Sequence, residues 1–534
     1  MENPPTSWQF NTLLVILALT ILIKAYLASK KSLKNNIKTH QKTTIKHLPQ
    51  PKGALPFIGH LHHLCTKTTI ARTLGSMADT SGPIFALRLG NQQAVVLSSS
   101  ETLKELFTNN DSLTATRPNL ALSKHLAYNY ASFAISPYGK YWRDIRKIST
   151  VELLSIRRLE KMKHIRNFEI NSCLKNLFKT LSKYKNNKIT LCKWLKYTSF
   201  NIALNMIVGK TFSHELYDDK ITFASKFERL IEKATYFSGV AVPSDFVPGI
   251  EWLDLMGLIR SMKEIHHDID LIIGHWLDEH MKRRKGNEKG EVEDGDFMDV
   301  MLSNIGDGCE MYGYERDTII KATALTLLLT GSESTSITLT WAISLLLNNP
   351  KALKTAQEEL DQKIGKQRWV EESDITNLSY LQAIVKETFR LYPPSPLAGP
   401  REAMEDCHID GYLISKGTRI IVNIWKVHRD PRIWVRPNEF RPERFINENE
   451  NIDFRRQNFE YLPFSLGRRA CPGMNFGLQV VHLMLARLIQ GFDLCSENNE
   501  PIDMSEKLGL ALPKADPLNV ILKARLSTQL YESL

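Results

Sequence analysis

The stretch FSLGRRACPG, residues 464–473, decides how the rest of the chain is read. It fits the pattern F-x-x-G-x-R-x-C-x-G at all five fixed positions. With an ordinary composition, chance supplies that pattern in well under roughly one chain in a thousand. A lone cysteine is most often a small buried hydrophobe. Here each neighbour of Cys471 suits a thiolate that holds a metal. Phe464 can cover the sulfur against protons and oxidants. Gly467 permits a tight turn, and Gly473 lets the backbone come close to the sulfur. Arg469 can grip a carboxylate of a bound group with two donors. Pro472 suits the first turn of a helix. That helix would aim its positive end and free N–H groups at the sulfur and tune its electron donation.

With these residues the chain resembles the cytochrome P450 family, in which a cysteine thiolate binds haem iron and helps cleave the O–O bond. The resemblance runs in order along essentially the whole chain. It implies the family's fold, mainly α with a small β portion. It implies haem b as cofactor, Cys471 as the metal ligand, and Phe464, Gly467, Arg469 and Gly473 at the haem. WRDIR, residues 142–146, puts Trp142 and Arg146 at i and i+4 on one helix face. By resemblance this pair meets the haem propionates, and Arg401 is another propionate ligand. KETFR, residues 386–390, carries Glu387 and Arg390 in an E-x-x-R spacing. Pairs at i and i+3 are commonly surface ion pairs of small value. PERF, residues 442–445, follows where the family places a third partner, Arg444. The resemblance makes Glu387, Arg390 and Arg444 a buried network with a structural role.

Residues 315–347 predict a long helix, apolar nearly all round and therefore central. It holds TGSESTS, residues 330–336, which resembles the family's oxygen-activation signature. The chemistry implied is proton delivery to dioxygen. An acid and a hydroxyl beside a glycine-opened groove could organise water for this. Glu333 is the acid, Ser334 the hydroxyl and Thr335 its backup. Gly331 is poor for helix stability and makes room for O₂. The sequence departs from the family twice here: Thr330 replaces a small residue, and Ser334 stands where threonine is usual. Serine keeps the hydroxyl but lacks the methyl that restricts its rotamer, which invites uncoupling. Ser336 and Thr338 are expected to bond back to helix carbonyls.

Toward the N-terminus, residues 10–23 form an apolar run, extended by residues 25–28 past Lys24. About 18–20 residues of helix cross a bilayer. Positive charge follows the run instead of preceding it, unlike a cleaved signal peptide. Lysines 30, 31, 34, 38, 42 and 46 follow with no acid among them, which places the body on the cytosolic side. Three segments are expected: a membrane anchor over 1–29, a basic and proline-rich hinge over 30–60, and a haem-thiolate catalytic domain over 61–534. Gly90-Asn91 splits two apolar runs into a hairpin, 100–285 reads as mainly helical, and 286–296 as a polar surface loop. A helix is expected over 374–391, with strands at 408–414 and 418–424. Residues 238–253 are apolar and broken by prolines, and serve equally as a lipid-dipping or a buried loop.

The net charge of +11 suits an anionic surface or an acidic partner. No zinc-finger spacing or RNA-binding aromatic signature is present, so nucleic acid ranks last. Seven cysteines, scattered and never spaced C-x-x-C, argue against a disulfide framework or zinc site.

SPYGKYWRDIRK, KETFRLYPPSPLAGPREA and NIWKVHRDPRIW resemble plant microsomal members of the family. That resemblance implies an endoplasmic-reticulum membrane enzyme fed by NADPH–cytochrome P450 reductase. It would oxidise an alkaloid, terpenoid or flavonoid by hydroxylation, demethylation or oxidative cyclisation. By the same analogy the substrate pocket draws on residues 110–133, 324–330, 397–400 and 510–512, mostly apolar or aromatic. No acid lies between Arg117 and Tyr141, whereas Lys124 and His125 do. A neutral or acid-bearing substrate is therefore easier to place than a cation. The rival readings are a P450-like isomerase or dehydratase, a non-catalytic haem-binding protein, and a non-haem membrane protein. The first two would not need the Glu333–Ser334 pair.

Overall fold

Two apolar runs on either side of Gly90-Asn91 pair as an antiparallel hairpin, β1 (Ile84–Leu89) and β2 (Gln92–Leu97). Gly90 turns the chain at φ +62°, and a Cβ there would lie 2.6 Å from the Phe246 carbonyl oxygen. Both the turn and the close approach therefore call for glycine. The structure, a computed structural model, describes residues 47–65, 68–183, 188–212, 223–286, 295–306, 308, 310–509 and 511–534. The expected anchor lies outside them. Among the described residues no helix is long and apolar enough to cross a membrane.

The chain is mainly helical with a small β portion, as expected. β3 (Arg401–Glu402) and β4 (Arg419–Val422) complete the first sheet in the order β1-β2-β4-β3, with β2 and β4 parallel. The expected strand at 408–414 is instead two strands, Cys407–Ile409 and Tyr412–Ile414. They fold around Asp410 and Gly411, both at positive φ. An Asp-Gly pair favours a two-residue hairpin turn, and that local preference overrides the apolar run. The strand at 418–424 shortens to β4. Residues 47–60 lie along the sheet: Ala86 N–H donates to Pro49 O at 2.8 Å, and Gly90 N–H to Ile58 O at 3.1 Å.

Seven helices frame the site: α1 (Lys140–Ile148), α2 (Leu191–Val208), α3 (Phe223–Ser238), α4 (Leu258–Gly286), α5 (Arg316–Asn348), α6 (Ser379–Leu391) and α7 (Met474–Gly491). α5 is the expected central helix and packs against α2, α6 and α7. It is buried all round over most of its length although it carries many hydroxyls. Thr323, Thr326, Thr340 and Ser344 each donate to the carbonyl four residues back, at 2.7 to 2.8 Å. Bonding within the helix removes the cost of burying those groups.

The helix expected over 374–391 is a 3₁₀ turn, Glu372–Asn377, followed by α6. The break is stabilised from outside. Glu359 of a neighbouring helix accepts from the free N–H groups of Tyr380 (2.9 Å) and Leu381 (3.0 Å), a cap from a distant residue. The loop expected at the surface over 286–296 ends buried. Asp296 caps the next helix and bonds His280 Nε2 at 2.7 Å; residues 287–294 lie outside the described residues. The 238–253 segment divides. Val242 is buried, and Phe246 O accepts from Asn91 N–H, while Trp252 is 81% exposed and Leu255, just beyond, is 70% exposed.

The network of Glu387, Arg390 and Arg444 forms as the resemblance implies. Glu387 accepts from Arg390 Nε at 2.7 Å and Arg444 Nε at 3.0 Å, and all three are fully buried. The remaining guanidinium donors reach backbone carbonyls, including His428 O and Val435 O. Sharing one carboxylate between two cations works only because those carbonyls complete the hydrogen bonding.

Candidate active site

The loop of residues 464–473 leads into α7. Gly467 sits at φ +69°, and a Cβ there would run into the carboxylate of Asp111. The tight turn was expected, but the partner 356 positions earlier was not. Cys471 N–H donates to Phe464 O at 2.9 Å. Phe464 is wedged against Phe389, ring centroids 5.0 Å apart, and lines the same cavity as Cys471. Two expectations change. Pro472 precedes α7, whose N-cap is Gly473, so it is outside the first turn. A Cβ on Gly473 would lie 4.0 Å from Cys471 Sγ, an ordinary contact. Its contribution is its N–H, which hydrogen-bonds the sulfur. Burial pushes the Cys471 thiol up, while that N–H and the charge of Arg146 pull it back.

His428 fixes the chain just before this loop. Leu462 N–H donates to its Nε2 at 2.8 Å, so the ring proton is on Nδ1, which faces Arg390 O at 3.2 Å. Burial and the Arg390 charge hold this histidine neutral, its pKa lowered to about 3. No sequence pattern marked it.

Arg117, Arg146, Arg401 and Arg469 gather on the cavity wall around this loop. Arg469 donates to Ala115 O and Ser136 O, both at 2.6 Å, and its guanidinium lies 4.3 Å from the Trp142 ring centroid. Arg401 pairs with Asp111 at 2.8 Å and donates to Leu466 O at 3.1 Å. Arg146 stacks on Trp142 and donates to Ala470 O. The Trp142 indole N–H is committed to Phe133 O at 3.0 Å. Arg117 donates to Ala134 O and Pro400 O. It was missed, and the available signal was that it stands at the head of an acid-free stretch.

Burial lowers all four arginines, and repulsion from the other guanidiniums adds to it for Arg469, lowered to about 8, and Arg117, lowered to about 9. A guanidinium does not give up its proton in a protein, so such a cluster marks buried positive charge awaiting anions. Asp111 offsets part of it. The two carboxylates of a haem, with its iron at Cys471, suit what remains. The expected residues Trp142, Arg146, Arg401, Phe464, Gly467, Arg469, Cys471 and Gly473 are thus brought together.

The cavity they border measures about 470 Å³ and is mostly apolar. From the expected segments, Leu122, Leu126, Phe133, Leu325, Thr326, Leu327, Leu329, Thr330, Ala398, Gly399 and Ala511 line it, whereas Ala324, Leu328, Leu397 and Pro400 do not. Asn110 does not; its amide donates to His408 O at 2.8 Å. Leu512 is packed around Trp341 instead, and residue 510 lies outside the described residues. Met206 of α2 and Thr235 of α3 were not expected. The preference for acid-bearing substrates loses its basis. Lys124 and His125 are paired with Glu251, at 2.7 and 2.8 Å.

Glu333, Ser334 and Thr335 also line the cavity. The Ser334 hydroxyl donates to Thr330 O at 2.8 Å and that of Thr335 to Gly331 O at 2.9 Å. Thr338 donates to Ser334 O and Ser336 to Glu333 O. Bonding to the helix, expected for the last two, holds for all four. A Cβ on Gly331 would stand 3.5 Å from the Phe476 ring, an ordinary contact, so packing alone does not call for glycine there. Burial raises the Glu333 carboxyl above its ordinary value, and a hydrogen bond with Thr235 pulls it partly back. Such an acid holds its proton closer to neutrality.

A family model described as Cytochrome P450 matches residues 49–519. Dimethylnonatriene synthase of Arabidopsis thaliana is 46% identical, over 98% of this chain and 99% of that protein. Flavonoid-6-hydroxylase of Mentha piperita is 46% identical, over 90% of this chain and 93% of its own length. A solved zebra fish cytochrome P450 with progesterone shares the fold, with a TM-score of 0.72 at 22% identity, covering 85% of this chain and 99% of that one.

Proposed function

Since this chain belongs to the cytochrome P450 family and is a haem monooxygenase of it, we propose that it oxidises a small, largely apolar plant specialised metabolite, an alkaloid, terpenoid or flavonoid, with O₂ and NADPH-derived electrons. NADPH–cytochrome P450 reductase is the proposed electron donor. Hydroxylation, demethylation and oxidative cyclisation are the proposed outcomes. The observation that carries this is Cys471 opening onto a mostly apolar cavity of about 470 Å³ beside a cluster of buried guanidiniums. A relative named as a flavonoid hydroxylase supports the substrate class.

Haem bound here supplies the activation of dioxygen. The chain's own residues do the rest. Cys471 would hold the iron through its sulfur, and Arg117, Arg146, Arg401 and Arg469 would hold the propionates, with Trp142 stacked against Arg146 and Arg469. Glu333, its carboxyl raised by burial, is the acid that delivers a proton, and the Ser334 hydroxyl, turning from Thr330 O and with Thr335 as backup, relays it toward the cavity. The apolar wall keeps bulk water from the reacting carbon. The exposed Trp252, Leu253, Leu255 and Met256 fit a face resting on lipid, with residues 1–29 anchoring the chain in the endoplasmic-reticulum membrane and the catalytic domain in the cytosol.

One observation favours a second reading, a P450-like isomerase or dehydratase. Ser334 replaces threonine, and its hydroxyl is turned back onto Thr330 O. NADPH dependence separates the two. Membranes carrying the enzyme and reductase are given flavonoids, alkaloids and terpenoids, and products are read by mass. NADPH-dependent gain of one oxygen atom, or loss of a methyl group, is expected. Turnover without NADPH overturns the monooxygenase reading.

A further inference from the structure

The hydroxyls that α5 and α3 present to the cavity are alike in one respect: their protons are already used. Thr330, Ser334, Thr335 and Thr338 donate to carbonyls of α5. Ser238 donates to a carbonyl of α3, and the single Thr235 proton is shared between Ile231 O and the Glu333 carboxyl. A hydroxyl has one proton and two lone pairs, so what these groups offer a ligand is acceptance.

One pair departs from this pattern of hydroxyls bonded within their own helix. Ser132 Oγ, on the loop before α1, lies 2.7 Å from Thr326 Oγ1 on α5. Both residues are more than nine-tenths buried and both line the cavity. Thr326 Oγ1 also lies 2.7 Å from Ala322 O. A carbonyl only accepts, so both contacts are satisfied together only if Thr326 donates to Ala322 O and Ser132 donates to Thr326. Ser132 Oγ is then left with lone pairs and no proton to offer. Leu122, Leu126 and Leu325 line the same cavity and offer a ligand donor no competing acceptor side chain. The cations of the cavity are gathered at the cysteine loop.

We propose that Ser132, oriented by Thr326, is a specificity-determining anchor that accepts a hydrogen bond from a hydroxyl or N–H on the substrate. This rests on the cavity being the substrate chamber of a haem monooxygenase. Thr326 precedes Ser334 by eight residues, about 12 Å along the helix axis. The donor group and the oxidised carbon therefore belong at opposite ends of the substrate. The substrate class is an apolar skeleton with a free hydroxyl or amine at the end remote from attack. Its O-methyl and keto counterparts are disfavoured, because they bring only an acceptor to an acceptor.

The test uses the membrane-bound holoenzyme and matched probes: 7-hydroxyflavone with 7-methoxyflavone, and farnesol with its methyl ether. Affinities are read from the change in haem absorbance on binding. The hydroxyl member of each pair is expected to bind roughly three- to tenfold tighter, the range for one net hydrogen bond. Ser132→Ala is expected to bring that ratio near one. Thr326→Val frees the Ser132 proton for donation, and the ether is expected to gain on the alcohol. A merely structural tie between loop and helix would weaken both members alike. Equal affinities in the parent enzyme, or a preference that survives Ser132→Ala, overturn the anchor and leave the monooxygenase reading intact. A haem spectrum that responds to none of the four probes overturns the substrate-chamber reading and the anchor with it.

Discussion

The cysteine loop and the far side of the cavity border the same space, yet they are built in opposite ways. The loop is contiguous: Phe464, Gly467, Arg469, Cys471 and Gly473 reach their places within ten residues. The far side is assembled from Ser132, Met206, Thr235 and Thr326, carried by separate elements that meet at α5 through packing and the Ser132–Thr326 hydrogen bond. Function that must tolerate no variation in geometry sits on the short loop. Function that selects a substrate sits where each helix can vary alone. The sharpest break between the regions comes from Cys471→Ala. It is expected to abolish activity and the thiolate-type carbon monoxide spectrum together, whereas no single change on the far side should touch that spectrum. A retained thiolate spectrum in the variant would remove Cys471 as the ligand.

The next largest effect separates scaffold from site. Glu387→Ala leaves Arg390 and Arg444 buried without their shared carboxylate. A loss of about 3–5 kcal/mol of stability is expected, read by denaturant unfolding of the holoprotein. A near-neutral result would show that the carbonyls around both guanidiniums suffice.

How much of this was legible follows the same division. The motif, the long apolar helix and the Gly90-Asn91 hairpin each declare themselves within a window the backbone spans locally. Arg117, Asp111, His428 and Thr235 did not, because each acts on a partner tens to hundreds of residues away. Asp111 meets Gly467 and Arg401; His428 receives Leu462 N–H. Glu251, which neutralises Lys124 and His125, was equally invisible, and the charge argument drawn from the local stretch failed for that reason. The expected strand at 408–414 failed in the other direction. A local turn preference at Asp410-Gly411 was present in the sequence and was outweighed in reading by the apolar run.

Glu333 belongs to both regions, since it stands on the helix that carries the far side and is proposed to serve chemistry at the iron. Glu333→Ala is expected to leave haem bound and the carbon monoxide spectrum unchanged, while turnover falls roughly 10²-fold, the scale of one general acid. Substrate binding should hold. Well-coupled turnover at the parent rate would remove Glu333 from proton delivery.

The smallest effect lies in how Thr235 tunes that acid. Burial raises the Glu333 carboxyl, and the Thr235 hydroxyl partly reverses this by stabilising the carboxylate. With Glu333 as the proposed proton donor, activity falls as pH rises through its pKa and the acid form is lost. Thr235→Val removes the bond to the carboxylate, which raises the pKa further and keeps the acid protonated to higher pH. The alkaline fall in kcat is therefore expected to move to higher pH in Thr235→Val, by less than about one unit, the scale of one partly exposed hydrogen bond. If the carboxylate were instead needed as a base, the same substitution would shift an acid-side limb and suppress activity near neutrality. The direction of the shift thus decides which protonation state of Glu333 works.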